Sequence, residues 1–450
     1  MAVTVSVNAV TDVPLDADEL TVRPRARETT ADVLTVLQLC AAGRLRCSEK
    51  TQRPAAATVT AVAGVLTGGD FYREEPIAAF AWPLLVQAGG LAEIVGGRLQ
   101  LTTRGRSALA KPAAETVRHL WRRWIGHAVI DEMSRIDEIK GQRSARALTA
   151  ASPRRKAVAA ALAACPPGEW IAVDELFARM RRDGPPFAVA RDAWKLYLED
   201  PQYGSLGYDG FHDWPLLEGR YTLCLLFEYA GTLGLFDLEY GDPVNARDDF
   251  HANWGADGLD FLSRYDGLSA VRLNALGAYV FGLSERYEPE PEGNGGPGLA
   301  LQVLPNLDIV VTSELKPADE IFLDAYGQRA SDRVWSLSLA SLLAAVDAGR
   351  PLDDARQFLD DHAEHAVPAT VTRLFEDAVA RAGQLRDLGL ARVVECADPA
   401  MAALITADRK LRRFCRPVGE RHIAVPVQHE ADFRTVLRKL GYVIPTSPTE

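Results

Sequence analysis

The chain has 450 residues, of which 48% are apolar and 25% are charged, with a formal net charge of −11. Because a single hydrophobic core stops growing near about 250–300 residues, this length predicts several domains, and the composition is that of a folded protein. The acidic balance excludes a molecule that is attracted as a whole to DNA or to anionic membranes. Any contact with nucleic acid therefore requires a local basic patch.

The six cysteines are scattered without any C-x-x-C pair, which favours free thiols in a reducing compartment. The N-terminus has no basic segment followed by an apolar one, as a secretory signal requires. The most apolar stretch, residues 77–95, is interrupted by Pro83, Gln87 and Glu93, so it does not predict a membrane span. We expect a cytoplasmic protein without membrane contact and without a cofactor.

Apolar periodicity predicts an α+β fold, mainly α, that begins with a flexible arm over residues 1–27. Residues 28–112 form the first predicted module: a helix, a short strand at 45–48, two further helices and a hairpin. The Gly96-Gly97 pair closes the hairpin, because glycine supplies the positive φ that a tight turn needs. This order of elements is typical of a winged helix.

The same order recurs over residues 153–287, in a second winged-helix-like module whose hairpin carries a long insertion. Each hairpin ends in Leu-x-x-x-Gly, at residues 101–105 and 273–277, and an apolar helix follows. The recurrence predicts an internal repeat. A helical connector over residues 113–152 joins the two modules.

An acidic, Pro- and Gly-rich linker is predicted at residues 288–298. A smaller α+β domain over residues 299–450 follows it. Strands are expected at 301–311, 392–396 and 422–427, with six helices between and after them, the fifth at 400–413.

The common catalytic motifs are absent or out of context. Residues 293–298 match G-x-G-x-x-G, but an acidic run precedes them and a strand is predicted to follow, whereas dinucleotide binding needs a strand before and a helix after. No Gly-Lys dipeptide occurs, so there is no P-loop, and H-E-x-x-H and G-x-S-x-G are also missing. We therefore expect no enzymatic activity.

Two groups of acidic residues and histidines contain the ligand types of a metal site: Asp361, His362, Glu364 and His365; and Asp248, Asp249, His251, Asp257 and Asp260. Residues two apart cannot share a helix face, so the first group predicts a solvated helix end. The second predicts capping and turn chemistry, which aspartate favours. A metal-dependent hydrolase at the second group is the weaker alternative.

The candidate DNA-binding residues are arginines and lysines in three sets, since each can neutralise a phosphate. They are Arg44, Arg46, Lys50, Arg53, Arg98, Arg104 and Arg106 in the first module; Lys140, Arg143, Arg154, Arg155 and Lys156 in or beside the connector; and Arg409, Lys410, Arg412, Arg413 and Arg416 near the C-terminus. Arg146 extends the second set and Arg421 the third. An ordinary solvated surface is the alternative for each set.

The helix that reads base edges in a DNA-binding winged helix is apolar in both modules. Residues 74–87 begin with Glu74 and Glu75 and contain no basic residue, and residues 221–229 are equally apolar. Base readout needs Arg, Lys, Asn or Gln on this helix. We expect both helices to be buried or to face protein, and any DNA contact to be directed at the backbone.

Several C-terminal segments resemble a bacterial helicase-associated domain related to the N-terminal region of XPB-type helicases. They are residues 301–311, 335–343, 348–349, 367–383, 396–399 and 437–442, within a match over about residues 300–445. Residues 47–54, 69–72, 81–85 and 203–209 resemble a companion region of actinobacterial proteins. The resemblance implies winged-helix folds and a role in DNA repair, transcription or phage defence, without a helicase motor.

Two functions follow from these features. The favoured one is a non-enzymatic, DNA-associated accessory protein that acts with a helicase or other DNA-processing machinery and contacts DNA without sequence specificity. The alternative is a protein–protein adaptor or regulatory subunit that does not bind DNA directly.

Overall fold

The computed structural model describes residues 20–127, 129–208, 214–288, 300–385 and 388–445. The protein is α+β and mainly α, as predicted. It divides into two compact units, residues 1–375 and 376–450. Within the described ranges, no helix is both long and apolar enough to cross a bilayer.

The first part of the chain has the predicted order of helix, short strand, two helices and hairpin. Its elements are β1 (Thr21–Arg23), α1 (Ala26–Ala41), α2 (Ala56–Ala63), α3 (Ala78–Ala88), β2 (Ala92–Val95), β3 (Arg98–Leu101) and α4 (Thr103–Leu109). The predicted strand at 45–48 is reduced to an antiparallel bridge between Arg46 and Arg98. A hydrogen bond from Leu99 N to Leu45 O (2.9 Å) holds it beside β3.

The connector and the second part of the chain repeat this order. The elements are α5 (Ala113–Gly126), α6 (Ala151–Ala163), β4 (Trp170–Ala172), α7 (Val173–Asp183), α8 (Arg220–Cys224), β5 (Phe236–Tyr240), β6 (Leu268–Leu273) and α9 (Ala275–Phe281). α8 is the central turn of a longer helix over residues 215–231, since π-helical turns, Pro215–Gly219 and Leu225–Gly231, flank it. β4 pairs with β6, the second strand of its hairpin, in the same way as Arg46 pairs with β3, the second strand of the first hairpin.

β1 departs from the prediction of a flexible arm over residues 1–27. It pairs antiparallel with β5, Thr21 opposite Tyr240, and completes a sheet of order β1-β5-β6-β4. The Arg23 guanidinium donates to the carbonyl oxygens of Thr67 (3.1 Å) and Gly69 (2.8 Å). Residues 20–27 are therefore part of the fold, and residues 1–19 lie outside the described ranges.

The Leu-x-x-x-Gly corners of the two repeats have the same hydrogen bonds. The side chains of Thr102 and Asn274 cap α4 and α9 by accepting from the N–H groups of Gly105 (3.1 Å) and Gly277 (2.9 Å). A Cβ on Gly105 would overlap the carbonyl oxygen of Leu91, and a Cβ on Gly277 would overlap that of Leu235. Both carbonyl groups lie in the turn before the hairpin. The two repeats therefore share the same capping hydrogen bond and the same requirement for glycine at this corner.

The two apolar helices lie in the core, as their sequences predict. Every residue of α3 except Phe80 and Gln87 is buried, including Trp82, and residues 219–231 are all buried. Polar side chains within the second helix have internal partners, such as Glu228 with Arg135 (2.9 Å). Neither helix has an exposed polar face.

Residues 300–375 pack with the repeats, although a linker was predicted before them. Their elements are β7 (Leu301–Val303), β8 (Asp308–Val311), α10 (Pro317–Tyr326), β9 (Gln328–Ser331), β10 (Val334–Ser336), α11 (Leu339–Asp347), α12 (Leu352–His362) and the start of α13 (Ala369–Ala382). α10 contacts α1, and its Ile321 joins the core of the repeats. Apart from Glu288, the predicted linker lies outside the described residues.

The strand predicted at 301–311 is a hairpin. β7 and β8 pair antiparallel, and the chain turns between them where Leu307 has φ 74°. The sheet has the order β7-β8-β10-β9. The division at residue 375 falls inside the region predicted as one domain, 299–450.

The second unit is a small sheet with two helices. It contains β11 (Ala391–Glu395), α14 (Pro399–Ala407), β12 (Arg416–Val418), β13 (His422–Pro426) and α15 (Glu430–Lys439), with strand order β11-β13-β12. Ile423, Val425 and Phe433 form its core. α14 ends before the predicted residue 413, because the Asp408 carboxylate accepts the N–H groups of Lys410 (2.8 Å) and Leu411 (3.0 Å) in a turn.

Candidate nucleic-acid interface

The loop between α5 and α6 is held in place by buried side chains and by its own hydrogen bonds. Met133, Ile136 and Ile139 lie in the core. The Gln142 amide donates to the carbonyl oxygens of Ile136 (2.9 Å) and Ile139 (2.7 Å). A Cβ on Gly141 would overlap the carbonyl group of Lys195, so the close approach of these two segments requires glycine.

This loop forms one wall of an open groove of about 770 Å³, which we call the connector groove. It brings together four basic residues, Arg53, Lys140, Arg143 and Arg146. Arg53 belongs to the first repeat and reaches the connector by donating to the carbonyl oxygen of Ser134 (3.4 Å). The structure thus unites Arg53 of the first predicted set with Lys140, Arg143 and Arg146 of the second.

The carboxylates at the connector groove are paired with arginines that do not line it. Asp131 forms an ion pair with Arg154, and Asp137 forms one with Arg264 (3.0 Å). Lys140 lies 3.5 Å from Glu138. Arg143 and Arg146 are exposed, and no carboxylate in the described ranges lies within ion-pair distance of either. The groove therefore offers unneutralised positive charge within an acidic protein.

Two residues of the second predicted set, Arg154 and Arg155, are buried and cannot contact a phosphate. Arg155 pairs with Glu132, and its guanidinium lies 4.4 Å from the centroid of the Trp124 ring. Arg154 lies 4.7 Å from the Tyr221 ring centroid. They tie α6 to the connector, whereas Lys156 on the same helix is exposed.

The remaining residues of the first set lie around the first hairpin. Arg44, Arg46, Lys50, Arg98, Arg104 and Arg106 are all exposed. Arg44 pairs with Asp324 of α10 (2.9 Å). Arg98 and Arg106 line a cavity of about 390 Å³ together with Arg350 and Asp354. Residues 317–354 thus cover part of this side of the first hairpin.

The electrostatics of this cavity reflect its partial burial. Burial and the neighbouring Asp353 raise the pKa of Asp354, against the lowering effect of Arg106. Burial and the nearby Arg44 lower the pKa of Arg350, whose guanidinium donates to the carbonyl oxygen of Ala325 (2.8 Å).

The third predicted set lies in the second unit. Arg409, Lys410, Arg412, Arg413 and Arg416 are all exposed between the end of α14 and β12. The Arg413 guanidinium lies over the ring of Phe414, 4.5 Å from its centroid. Arg421 pairs with Glu395 (3.1 Å).

Members of both acidic and histidine clusters have internal partners. Asp249 forms ion pairs with Arg220 and with Arg247 (2.9 Å), and these arginines lower its pKa although burial opposes them. His362 lies 2.8 Å from the carbonyl oxygen of Phe358, and Glu364 accepts from the Thr312 hydroxyl (2.6 Å). Over the described ranges, no three His, Cys, Asp or Glu side chains converge on a point that could hold a metal ion.

Sequence reasoning did not select Tyr197, which lines the connector groove beside Lys140. An antiparallel bridge joins the two residues, with Lys140 N donating to Tyr197 O (2.7 Å). Tyr197 lies in a segment without clear periodicity and far from Lys140 along the chain, so no local signal places it there.

Part of the chain is similar to a known protein family. Residues 301–416 match a family model described as a helicase conserved C-terminal domain. No curated protein matches the chain. The match supports a helicase-associated domain in this region and thereby an association with helicase-type, DNA-processing machinery.

Proposed function

We propose that the protein is a non-enzymatic accessory component of a helicase or other DNA-processing machinery and that it contacts the DNA backbone through the connector groove. The observation that carries this proposal is the convergence of Arg53 with Lys140, Arg143 and Arg146. The helicase-family match at residues 301–416 supplies the DNA-processing context.

The proposed contact is with phosphates rather than with base edges. The helices that would read bases, α3 and residues 215–231, lie largely in the core, and Arg220 and Glu228 of the second helix have internal ion-pair partners. The basic residues of the groove lie on a connector loop and on the loop before α2. Phosphate contacts from such positions give affinity without sequence discrimination.

Three finer assignments belong to the same proposal. The two repeats are winged-helix modules, supported by their element order and by the matching strand pairing. The matched region corresponds to the actinobacterial helicase-associated domain related to the N-terminal region of XPB-type helicases. The protein acts in the cytoplasm, supported by its six free and buried cysteines.

Binding to duplex DNA over a salt series tests the backbone contact. The logarithm of the binding constant falls against the logarithm of the salt concentration with a slope of about −0.9 for each phosphate neutralised. Replacing Arg143 by Gln and Arg146 by Asn should make this slope shallower by about 2 and weaken binding equally for unrelated sequences. Asn suits position 146, where φ is 64°.

Variants that each remove two positive charges distinguish the connector groove from the third set and from the first hairpin. Arg412→Gln with Arg413→Gln changes the third set, and Arg98→Gln with Arg104→Gln changes the first hairpin. Both double variants should keep the slope of the unaltered protein. A loss of slope in either of them, but not in the connector variant, would move the interface away from the groove. Undetectable binding at low salt would remove the DNA contact altogether.

The non-enzymatic part of the proposal has its own test. Hydrolysis of ATP, or of DNA with added Mg²⁺ or Mn²⁺, should not exceed the rate of a protein-free control. Hydrolysis that depends on Asp249 would favour the metal-dependent alternative at residues 248–260.

Exposed apolar side chains in the second unit favour the adaptor as a second candidate function. Leu388 and Leu390 are exposed just before β11, and Val393 is exposed within it; β11 is an edge strand. Edge strands and apolar patches are common protein-docking sites. Capture of a helicase or nuclease by the protein, together with an absence of DNA affinity, would favour this function over the first.

A further inference from the structure

Two insertions in the second repeat bring four exposed aromatic side chains together, and we call this group the aromatic platform. Trp194, Tyr203 and Tyr208 come from the segment between α7 and residue 215, and Trp254 comes from the segment between β5 and β6. Their exposed fractions are 59%, 61%, 63% and 52%. The ring centroids of Trp194 and Tyr208 lie 4.8 Å apart, and those of Tyr203 and Trp254 lie 5.8 Å apart.

The tryptophan rings of the platform have fixed positions, because each packs directly against a glycine of the Tyr-Gly-Ser-Leu-Gly-Tyr segment, residues 203–208. A Cβ on Gly204 would lie 3.1 Å from Trp254 Cε3, and a Cβ on Gly207 would overlap the ring of Trp194. Between the glycines, the Ser205 hydroxyl donates to the carbonyl oxygen of Trp194 (3.0 Å). Leu206 is buried beneath them.

The other six tryptophans of the chain are less exposed, Trp170 the most so among them at 39%. Trp82, Trp121, Trp124 and Trp335 are buried. Trp170 lies under the guanidinium of Arg272 and Trp214 under that of Arg181, at 5.0 and 5.5 Å from the ring centroids. Tryptophan is highly buried on average, so two exposed indoles beside two exposed phenols indicate a contact surface.

The platform is continuous with the connector groove. Ser205 forms a β-bridge with Tyr197, and Tyr197 forms one with Lys140. Because adjacent strands lie about 4.8 Å apart, two such steps place the platform segment roughly 10 Å from Lys140. One ligand can therefore reach both the aromatic rings and the basic side chains.

Two carboxylates beside the platform, those of Asp192 and Asp200, have partners. Asp192 pairs with Lys195 (3.3 Å), and Asp200 accepts the N–H groups of Gln202 (2.8 Å) and Tyr203 (3.2 Å). Glu199 is exposed and packs against Gly255. The unneutralised positive charge lies on the groove side, at Arg143 and Arg146, so an anionic strand is attracted there while its uncharged bases meet the rings.

We propose that the aromatic platform stacks unpaired bases of single-stranded DNA whose phosphates lie in the connector groove. This inference rests on the proposed function and adds to its backbone contact a preference for strands with unpaired bases. Stacking on Trp and Tyr accepts any base, because every base has a π-face, and a basic groove beside aromatic rings is the usual arrangement for strands bound without sequence preference. Bases in a duplex are already stacked and paired, so they cannot use the rings.

Fluorescence anisotropy with two labelled oligonucleotides of equal length tests this assignment. One carries all its bases, and the other has an abasic site at every position, so the phosphates are the same. The unaltered protein should bind the base-bearing strand about fivefold or more tightly than the abasic strand. Trp194→Ala with Trp254→Ala should remove this preference while leaving affinity for the abasic strand and for duplex DNA unchanged.

Two further variants make the test specific to the rings. Trp194→Phe with Trp254→Phe retains flat aromatic faces and should restore most of the preference. Trp170→Ala removes a partly exposed indole that Arg272 covers, and it should behave as the unaltered protein.

Each of the other outcomes overturns the assignment in a different way. Equal affinity of the unaltered protein for the two strands, with duplex binding intact, would refute the platform and leave the proposed function standing. Binding to no DNA at low salt would refute both. Tighter binding of an RNA strand of the same sequence would reassign the platform to RNA. Loss of a protein partner in the Trp-to-Ala variant, without any change in DNA affinity, would make the platform a protein-docking surface.

Discussion

Arg135, Arg155 and Arg220 lie in the core, and each is paired with a fully buried carboxylate. Arg135 donates through Nε to both oxygens of Glu228, at 2.9 and 3.1 Å, and the Tyr265 hydroxyl donates to the same carboxylate. The Arg135 guanidinium also lies 3.7 Å from the centroid of the Phe80 ring. Such a pair offsets the cost of removing two charges from water only while both partners are present.

Replacing Arg135 by Met should lower the free energy of unfolding by about 3–5 kcal/mol, because it leaves the Glu228 carboxylate buried without a cation. The double variant with Glu228→Met should recover much of this loss, since no unpaired charge remains. Urea denaturation followed by circular dichroism measures both effects.

Arg182→Met provides the control. Arg182 is exposed on α7 and pairs with Asp183 (2.7 Å), so its loss should change stability by no more than about 0.5 kcal/mol. If Arg135→Met proved as mild as this variant, the buried pair would not stabilise the fold as we describe.

Sequence reasoning cannot separate buried arginines from exposed ones when they are neighbours. Arg154, Arg155 and Lys156 form one basic run, yet the first two are in the core and the third is exposed. Their burial depends on acids that lie elsewhere in the chain, Asp131 and Glu132. A periodicity argument treats all three as surface residues because it does not include ion-pair partners.

At the scale of elements, the Leu-x-x-x-Gly recurrence was visible in sequence because it is short and local. Its physical cause is that the helix after each hairpin begins against the turn before the hairpin, and only glycine leaves room there for a carbonyl oxygen. The pairing of β1 with β5 left no such signal, since Thr21–Arg23 is too short for a period and its partner is distant in the chain.

Replacing Gly105 or Gly277 by Ala should destabilise the protein by about 1–3 kcal/mol each, because the methyl group must displace backbone rather than a flexible side chain. The matched control is Gly126→Ala at the end of α5, where a Cβ meets no atom within 4 Å. Chemical denaturation of the three variants compares them directly. Equal stability of all three would mean that the corners adjust freely.

At the scale of the whole molecule, sequence predicted the order of elements but not how distant segments meet. The acidic linker composition suggested a separate C-terminal domain, whereas residues 300–375 pack on the repeats through Ile321 and Arg44. Likewise, Arg53 and Arg143 were predicted in different sets and share one groove. Tertiary contacts of this kind depend on surfaces that a one-dimensional pattern does not contain.

Burial of the cysteines predicts a fall in stability at alkaline pH. Burial raises the pKa of Cys47 to about 11 and that of Cys165 to about 11, while an unfolded chain loses thiol protons near about pH 8.5. Between these values the unfolded state binds fewer protons than the folded state, so the free energy of unfolding falls as pH rises. The fall is up to about 1.4 kcal/mol per pH unit for each such thiol.

Urea denaturation at several pH values between 8 and 10 checks this dependence. A variant with Cys47→Ala and Cys165→Ala should show a shallower fall, whatever its stability at neutral pH. In the folded protein, a thiol reagent at pH 8 should label all six cysteines slowly. Rapid labelling, or an unchanged slope in the variant, would contradict the burial of these thiols.

The two hairpins of the repeat close very differently. The first closes with Gly96 and Gly97, whose surroundings are open, and the second spans residues 241–267, including Trp254. Both hairpins nevertheless end in the same capped corner. The frame thus accepts a short turn in one repeat and a long insertion in the other, and the turn residue Gly96, where an added side chain would meet no neighbouring atom within 4 Å, is a natural point for grafting an epitope or a reporter peptide.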